Sequence, residues 1–203
     1  MNVLILTNKK HIDFVWEESK KFSHGITVLT SANYNIDYDI GISFMYQHRV
    51  PKEQIEHRPW INFHPAPLPD YKGRNLCYHA ILNGETEFGA TIHYMDENFD
   101  TGDIIEVSKF KILSHNTAED VSWCAIEYSK ILFEEYLPRI LNGEVFPTTK
   151  NVGGTYYKKE DIIDTVLLKS DEPFAQYVRA VTYKDFHPHI EIGGVKYKIV
   201  RDE

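Results

Sequence analysis

Cysteine is nearly absent. Its two copies, Cys77 and Cys124, fall in segments of helical spacing, and no charged leader followed by a sustained apolar run opens the chain. Both features point away from a disulfide framework and towards a reduced, cytoplasmic protein. Long apolar runs are missing too, since no stretch approaches the roughly 20 residues of a membrane span. Positive charge is in short supply: 22 Lys and Arg face 30 Asp and Glu, for a formal net charge of -8 and a pI near 5.7. Such a balance disfavours a nucleic-acid surface, which normally presents a basic face. Glycine is lacking where nucleotide folds most often use it. The first apolar run, Asn2 to Thr7, is followed by Asn8-Lys9-Lys10, so no Gly-rich turn is available to wrap main-chain N–H groups around a phosphate.

What is present reads as an α/β domain. At 203 residues the chain is long enough for one well-cored domain with a small appendage. Asn2 to Thr7 has the continuous apolar character of a buried parallel strand, and Ile12, Val15, Trp16 and Ser19 follow at helical spacing. Gly25 to Ser31 and Asp39 to Met45 read as further strands, joined by a polar linker too short for a crossover helix. Pro51 suits the first turn of a short helix that ends before Pro59. Thr117-Ala-Glu-Asp120 has the form of a capping box and starts a long helix carrying Trp123, Ile126, Tyr128, Ile131 and Leu132. Pro138 is expected to end or kink that helix, and Gly143 to complete the stop.

The chemistry concentrates in residues 61 to 103. Trp60 to His64 reads as a short strand, so Asn62 and His64 share one face while Phe63 takes the other. Pro65, Pro67 and Pro69 then force the chain out of the sheet. Asn75 to Asn83 has helical spacing, with Gly84 as its stop, and is expected to act as a crossover to a second strand, Ala90 to Met95. That strand delivers an acidic turn, Asp96 to Asp103, closed at Gly102. If the two strands are neighbours, Asn62, His64 and Asp100 meet. An amide donor for an oxyanion, an imidazole that moves a proton and a carboxylate that supports it suit acyl transfer to an amine. No serine or cysteine is placed as a nucleophile, so direct attack by the amine is the simpler route. Either His64 or Asp100 can take the amine proton. A cation site at Asp96, Glu97, Asp100 and Asp103 ranks lower because the spacing is not that of an EF-hand. His79, His93 and the pair His187 and His189 read as structural, and no metal site is expected.

These motifs also carry a resemblance. Asn-x-His-Pro, the Leu-Pro-x-Tyr-Lys-Gly loop, and Gly-x-Thr-x-His with Asp-Thr-Gly-Asp look like the N10-formyltetrahydrofolate-dependent formyltransferases, and the two halves match in spacing throughout. The resemblance implies a Rossmann-like formyltransferase fold with a mostly parallel sheet, 10-formyltetrahydrofolate as formyl donor, and Asn62, His64 and Asp100 as the catalytic set. It implies folate contacts from His48, Arg49 and Val50 through their main chain, and the same site takes in Met95, Glu97 and Asp100. In the family the catalytic Asn comes a few tens of residues later, which leaves the order and number of the N-terminal strands open.

Beyond residue 150 the pattern changes. Gly153 to Lys159 reads as an aromatic and basic loop, a helix is expected from about Asp171, and Ile190 to Val200 alternates as a hairpin across Gly193-Gly194. The expected division is a catalytic domain, residues 1–150, and a small C-terminal subdomain of helix and β-hairpin, residues 151–203. A two-stranded hairpin is marginal alone, so a homodimer through this region is expected. The favoured acceptor is a nucleotide-linked amino sugar, which the resemblance implies to be a dideoxy sugar on dTDP, met by Lys9, Lys10, Lys72, Tyr156 and Tyr157. Glycinamide ribonucleotide formyltransferase and a folate-binding module without turnover are the alternatives.

Overall fold

A computed structural model describes residues 1–23, 25–161, 174–183, 187–192 and 194–199. The chain opens with β1 (Asn2–Thr7), α1 (Ile12–Ser19), β2 (Gly25–Leu29), β3 (Ile40–Phe44), α2 (Lys52–His57) and β4 (Trp60–His64). It continues through β5 (Tyr71–Gly73), α3 (Leu76–Leu82), β6 (Glu87–Tyr94), β7 (Ile104–Lys111) and α4 (Ala118–Leu141). After a short β8 (Thr155–Tyr157) come α5 (Phe174–Val181), β9 (His189–Ile192) and β10 (Val195–Lys198).

The main sheet has the order β2-β1-β3-β4-β6-β7. Its first four strands are parallel, whereas β6 runs antiparallel to both β4 and β7. The strand order left open by the sequence is thereby fixed, and the crossover expected of α3 is corrected. Strands β4 and β6 are antiparallel, so α3 and β5 form an excursion between them and no parallel crossover is made.

Both faces of the parallel strands are covered, which is why Val3 to Leu6 of β1 are all apolar and buried. Val3 and Ile5 face a cluster with Val15 of α1 and Leu132, Phe133, Tyr136 and Leu137 of α4. Leu4 and Leu6 face Tyr38, Val50 and Trp60, so the helix-free linker between β2 and β3 itself covers that side. The capping box of α4 is formed: Thr117 Oγ1 accepts from Asp120 N at 3.2 Å, and Thr117 N donates to Asp120 Oδ2 at 2.7 Å.

The structure adds two features to α4, one of which corrects the expectation that Pro138 could end it. Trp123 and Ile131 are 68% and 53% exposed, because the buried stripe is Val121, Ala125, Leu132, Phe133, Tyr136 and Ile140. Pro138 lies inside the helix, which runs on to Leu141. Burial of Leu137, Ile140 and Leu141 outweighs the one backbone bond that proline forfeits. The start of the expected C-terminal helix, residues 171–173, and the hairpin positions Gly193 and Val200 lie outside the described residues. Helix α5 packs on α3, and β9 and β10 pair as an antiparallel hairpin. Among the described residues no helix is long and apolar enough to cross a membrane.

Candidate active site

The carboxyl ends of β1, β3 and β4 share one edge of the sheet, the edge at which open α/β folds hold ligands. Asn62 and His64 project there from β4. His64 is 5% exposed, and its Nε2 lies 2.8 Å from the Tyr71 carbonyl oxygen. A carbonyl only accepts, so Nε2 carries a proton and Nδ1 is the basic atom of the neutral ring. Nδ1 points at Asp100 Oδ1, 3.4 Å away. The other oxygen, Oδ2, accepts from Gly73 N at 2.9 Å, which fixes the carboxylate plane. An imidazole that takes up a proton at Nδ1 therefore finds a held anion beside it.

Asp100 reaches this position on a strained turn. Its φ is +58°, a conformation costly for a residue with a Cβ. The turn is held by several bonds. Thr101 Oγ1 donates to Asp96 Oδ1 at 2.6 Å, and Asn151 Nδ2 donates to the carbonyls of Asp100 and Gly102 at 2.9 and 3.0 Å. Gly102 is required because a Cβ there would sit 1.9 Å from the Tyr94 carbonyl oxygen. Glu97 and Asp103 are paired instead with Lys52 and Lys150, at 2.6 and 2.7 Å, so the acidic residues of this turn diverge. Among the described residues no group of three or more His, Cys, Asp or Glu could hold a metal.

One residue of the site was set aside in the sequence. His93 on β6 is directly opposite Asn62, is 1% exposed, and places Nε2 3.1 Å from Asn62 Nδ2 and 4.0 Å from Asp100 Oδ1. It read as a strand-interior histidine because nothing local reveals that β6 lies antiparallel to β4 and at this register.

The segments expected to meet a folate lie side by side. Arg49 donates to the Glu97 carbonyl at 2.8 Å, and Val50 and Met95 belong to one apolar cluster with Tyr46, Ile55 and Trp60. The Glu97 carboxylate itself is engaged by Lys52, so its contribution to this cleft comes from its main chain. Next to it is a cavity of about 320 Å³ lined by Thr7, Asn8, Lys9, Lys10, Thr30, Tyr46, Gln47 and His48. Asn8 organises it, donating from Nδ2 to the Met45 carbonyl at 2.7 Å and accepting from Lys10 N at 2.8 Å. Thr7 Oγ1, on its wall, is buried without a hydrogen-bond partner.

Three of the residues assigned to the acceptor are employed or placed differently. Lys72 is buried, and its ammonium donates to the Gly153 carbonyl at 2.8 Å, which makes it a tie between segments. The Tyr157 ring stacks on His79 at 4.0 Å and on Tyr71 at 5.5 Å, and its hydroxyl accepts from Asn83 at 3.1 Å, so it is packing. Tyr156 is exposed but does not line the lysine cavity. The stretch read as an aromatic and basic loop is a strap. Strand β8 pairs with β5 in parallel, and Gly154 approaches Pro69 so closely that a Cβ would lie 1.7 Å from its carbonyl oxygen.

Known proteins resemble this chain in sequence and in fold. The GDP-perosamine N-formyltransferase of Brucella melitensis biotype 1 is 30% identical over 173 residues, which cover 81% of this chain and 65% of that protein. The chain thus matches just under two thirds of its relative's length. A solved 4-N formyltransferase from Francisella tularensis superposes with a TM-score of 0.83 at 22% identity, over 99% of this chain and 97% of the other. An N-formyltransferase from Helicobacter canadensis, solved with folinic acid and dTDP-3-aminofucose, gives a TM-score of 0.79 at 22% identity, over 96% and 85%. The formyl transferase family model itself spans residues 7–135, from the end of β1 through most of α4 and across Asn62, His64 and Asp100, and on that match this chain belongs to the formyl transferase family.

Proposed function

We propose that the protein transfers a formyl group from N10-formyltetrahydrofolate to the amino group of a nucleotide-linked amino dideoxy sugar, with a dTDP sugar favoured. The observation that carries the reading is the meeting of Asn62, His64 and Asp100 beside a lysine-bearing cavity on the same sheet edge. The Brucella relative is named for a GDP-linked amino sugar, and the Helicobacter enzyme was solved with a dTDP-linked one and a folate.

In this reading the folate lies between residues 48–50 and 95–97, and the diphosphate is met by Lys9 and Lys10. The amine nitrogen attacks the formyl carbon and its proton passes to His64 Nδ1, where Asp100 stabilises the imidazolium. The Asn62 amide and the protonated His64 donate to the oxyanion of the tetrahedral intermediate. The bond between the formyl carbon and N10 then breaks, N10 takes the proton back from His64, and tetrahydrofolate leaves with the histidine neutral again.

The test follows tetrahydrofolate release with dTDP-, GDP- and UDP-linked amino sugars and glycinamide ribonucleotide in parallel. A sugar nucleotide should lead by kcat/KM. Faster turnover of glycinamide ribonucleotide overturns the acceptor and leaves the transfer chemistry standing, whereas no turnover of any acceptor leaves a folate-binding module. The proposal includes a catalytic body, residues 1–150, a C-terminal subdomain, residues 151–203, and a cytoplasmic homodimer that binds neither nucleic acid nor membrane. The dimer is supported by Val195 and Tyr197, both 53% exposed on β10, which among the described residues pairs with β9 alone. Light scattering that gives a monomer at micromolar concentration removes it.

A further inference from the structure

We infer that His93 is a positioning residue: as a neutral Nδ1–H tautomer it accepts a hydrogen bond from Asn62 and so sets which end of the Asn62 amide faces the reacting carbonyl. The inference rests on the transfer chemistry above and assigns a role to a group that chemistry does not use.

The argument starts from the donors. His93 Nδ1 lies 2.7 Å from the Tyr94 carbonyl oxygen, which can only accept, so the ring proton is on Nδ1. In the neutral ring Nε2 is then a lone pair, and the group it faces must donate. That group is Asn62, 3.1 Å away, so the amide turns its NH2 and not its oxygen towards His93. One N–H is used in this bond, and the second is left as a donor for an oxyanion. A protonated His93 would reverse the arrangement, because Nε2–H would call for the Asn62 carbonyl and leave no such donor.

The surroundings keep the ring neutral. His93 is 1% exposed, and its pKa is pushed down to about 4, first by burial and then by His64, whose ring centroid is 6.2 Å away; Asp100 and Asp96 act in the opposite sense. The backbone contributes as well. The register of β6 against β7 is irregular between Ile92 and His93, a feature that re-aims a side chain, while Asn62 and His93 remain directly opposed on β4 and β6.

The experiment has two readouts. With the full chain, His93→Leu is expected to lower kcat by about 30-fold, within the range for an oxyanion donor lost in part, with the KM values of both substrates little changed. His93→Gln, whose carbonyl restores an acceptor, should recover most of that loss. In an Asn62→Ala background His93→Leu should cost less than about threefold, since the residue acts through Asn62. An equal loss in both backgrounds, or a loss carried by KM, overturns the role. The second readout is the 15N spectrum of histidine-labelled wild-type protein at pH 7, which should show His93 neutral with its proton on Nδ1. An Nε2–H tautomer or an imidazolium overturns the inference even if His93→Leu fails to fold. Absence of formyl transfer by the wild type counts against the functional reading instead, and the spectrum still decides the tautomer.

Discussion

Asn151→Ala tests whether the strap after α4 builds the active site or binds the acceptor. The side chain gives both of its N–H groups to the turn, one to the Asp100 carbonyl and one to that of Gly102. Its Oδ1 is buried without a partner, so the donors are what it contributes. At about 1 kcal/mol net for each bond, truncation removes about 2 kcal/mol, and some relaxation of the strained Asp100 backbone returns a fraction of it. For a chain of this length about 2 kcal/mol lowers Tm by about 4–8 °C. The larger effect should fall on turnover. Asp100 is held at its carbonyl by Asn151 and at Oδ2 by Gly73, and loss of one anchor lets the carboxylate drift from His64. Displacement by about 1 Å costs on the order of 100-fold in rate. The expected outcome is kcat down at least about tenfold with KM for the sugar nucleotide little changed, read by tetrahydrofolate release beside a thermal melt. Asn151→Asp, which keeps the shape but turns an acceptor towards two carbonyls, should be worse. A folded Asn151→Ala with near-normal kcat and a raised KM for the nucleotide sugar refutes the reasoning and returns the segment to the acceptor.

Three further outcomes are expected. Asn62→Ala, His64→Ala and Asp100→Ala should each lower kcat by about 100-fold or more in folded protein, and near-normal turnover removes that residue from the mechanism. Lys9→Ala and Lys10→Ala should raise KM for the acceptor by about three- to tenfold and weaken its dependence on salt while leaving the folate KM unchanged; an unchanged acceptor KM moves the diphosphate elsewhere. Acid should destabilise the fold through His93, whose pKa is lowered from 6.5 to about 4, chiefly by burial. Between those values the unfolded chain binds a proton that the folded one refuses, so stability falls as pH drops, by up to about 1.4 kcal/mol per pH unit. Urea titrations of wild type and His93→Gln from pH 7 to 4.5 read the difference, and parallel curves count against it.

The resemblance in residues 61–103 pointed to a candidate catalytic set because its chemistry is local. Asn62 and His64 share a strand face by period two, and proline and glycine mark where each strand is left. The same locality made β1 and the Thr117 cap legible. Direction and register were not, because they depend on which strands meet. The sequence of β6 reads alike in a parallel or an antiparallel sheet, and only the antiparallel pairing with β4 sets His93 against Asn62. Aromatic and basic residues likewise look the same whether they await a ligand or are spent internally. The stacking of Tyr157 on Tyr71 and His79 and the bond from Lys72 to Gly153 arise from contacts between segments more than 70 residues apart. Local pattern decides which element a stretch forms and what chemistry it carries, whereas a side chain's role is decided by the partner that folding brings to it.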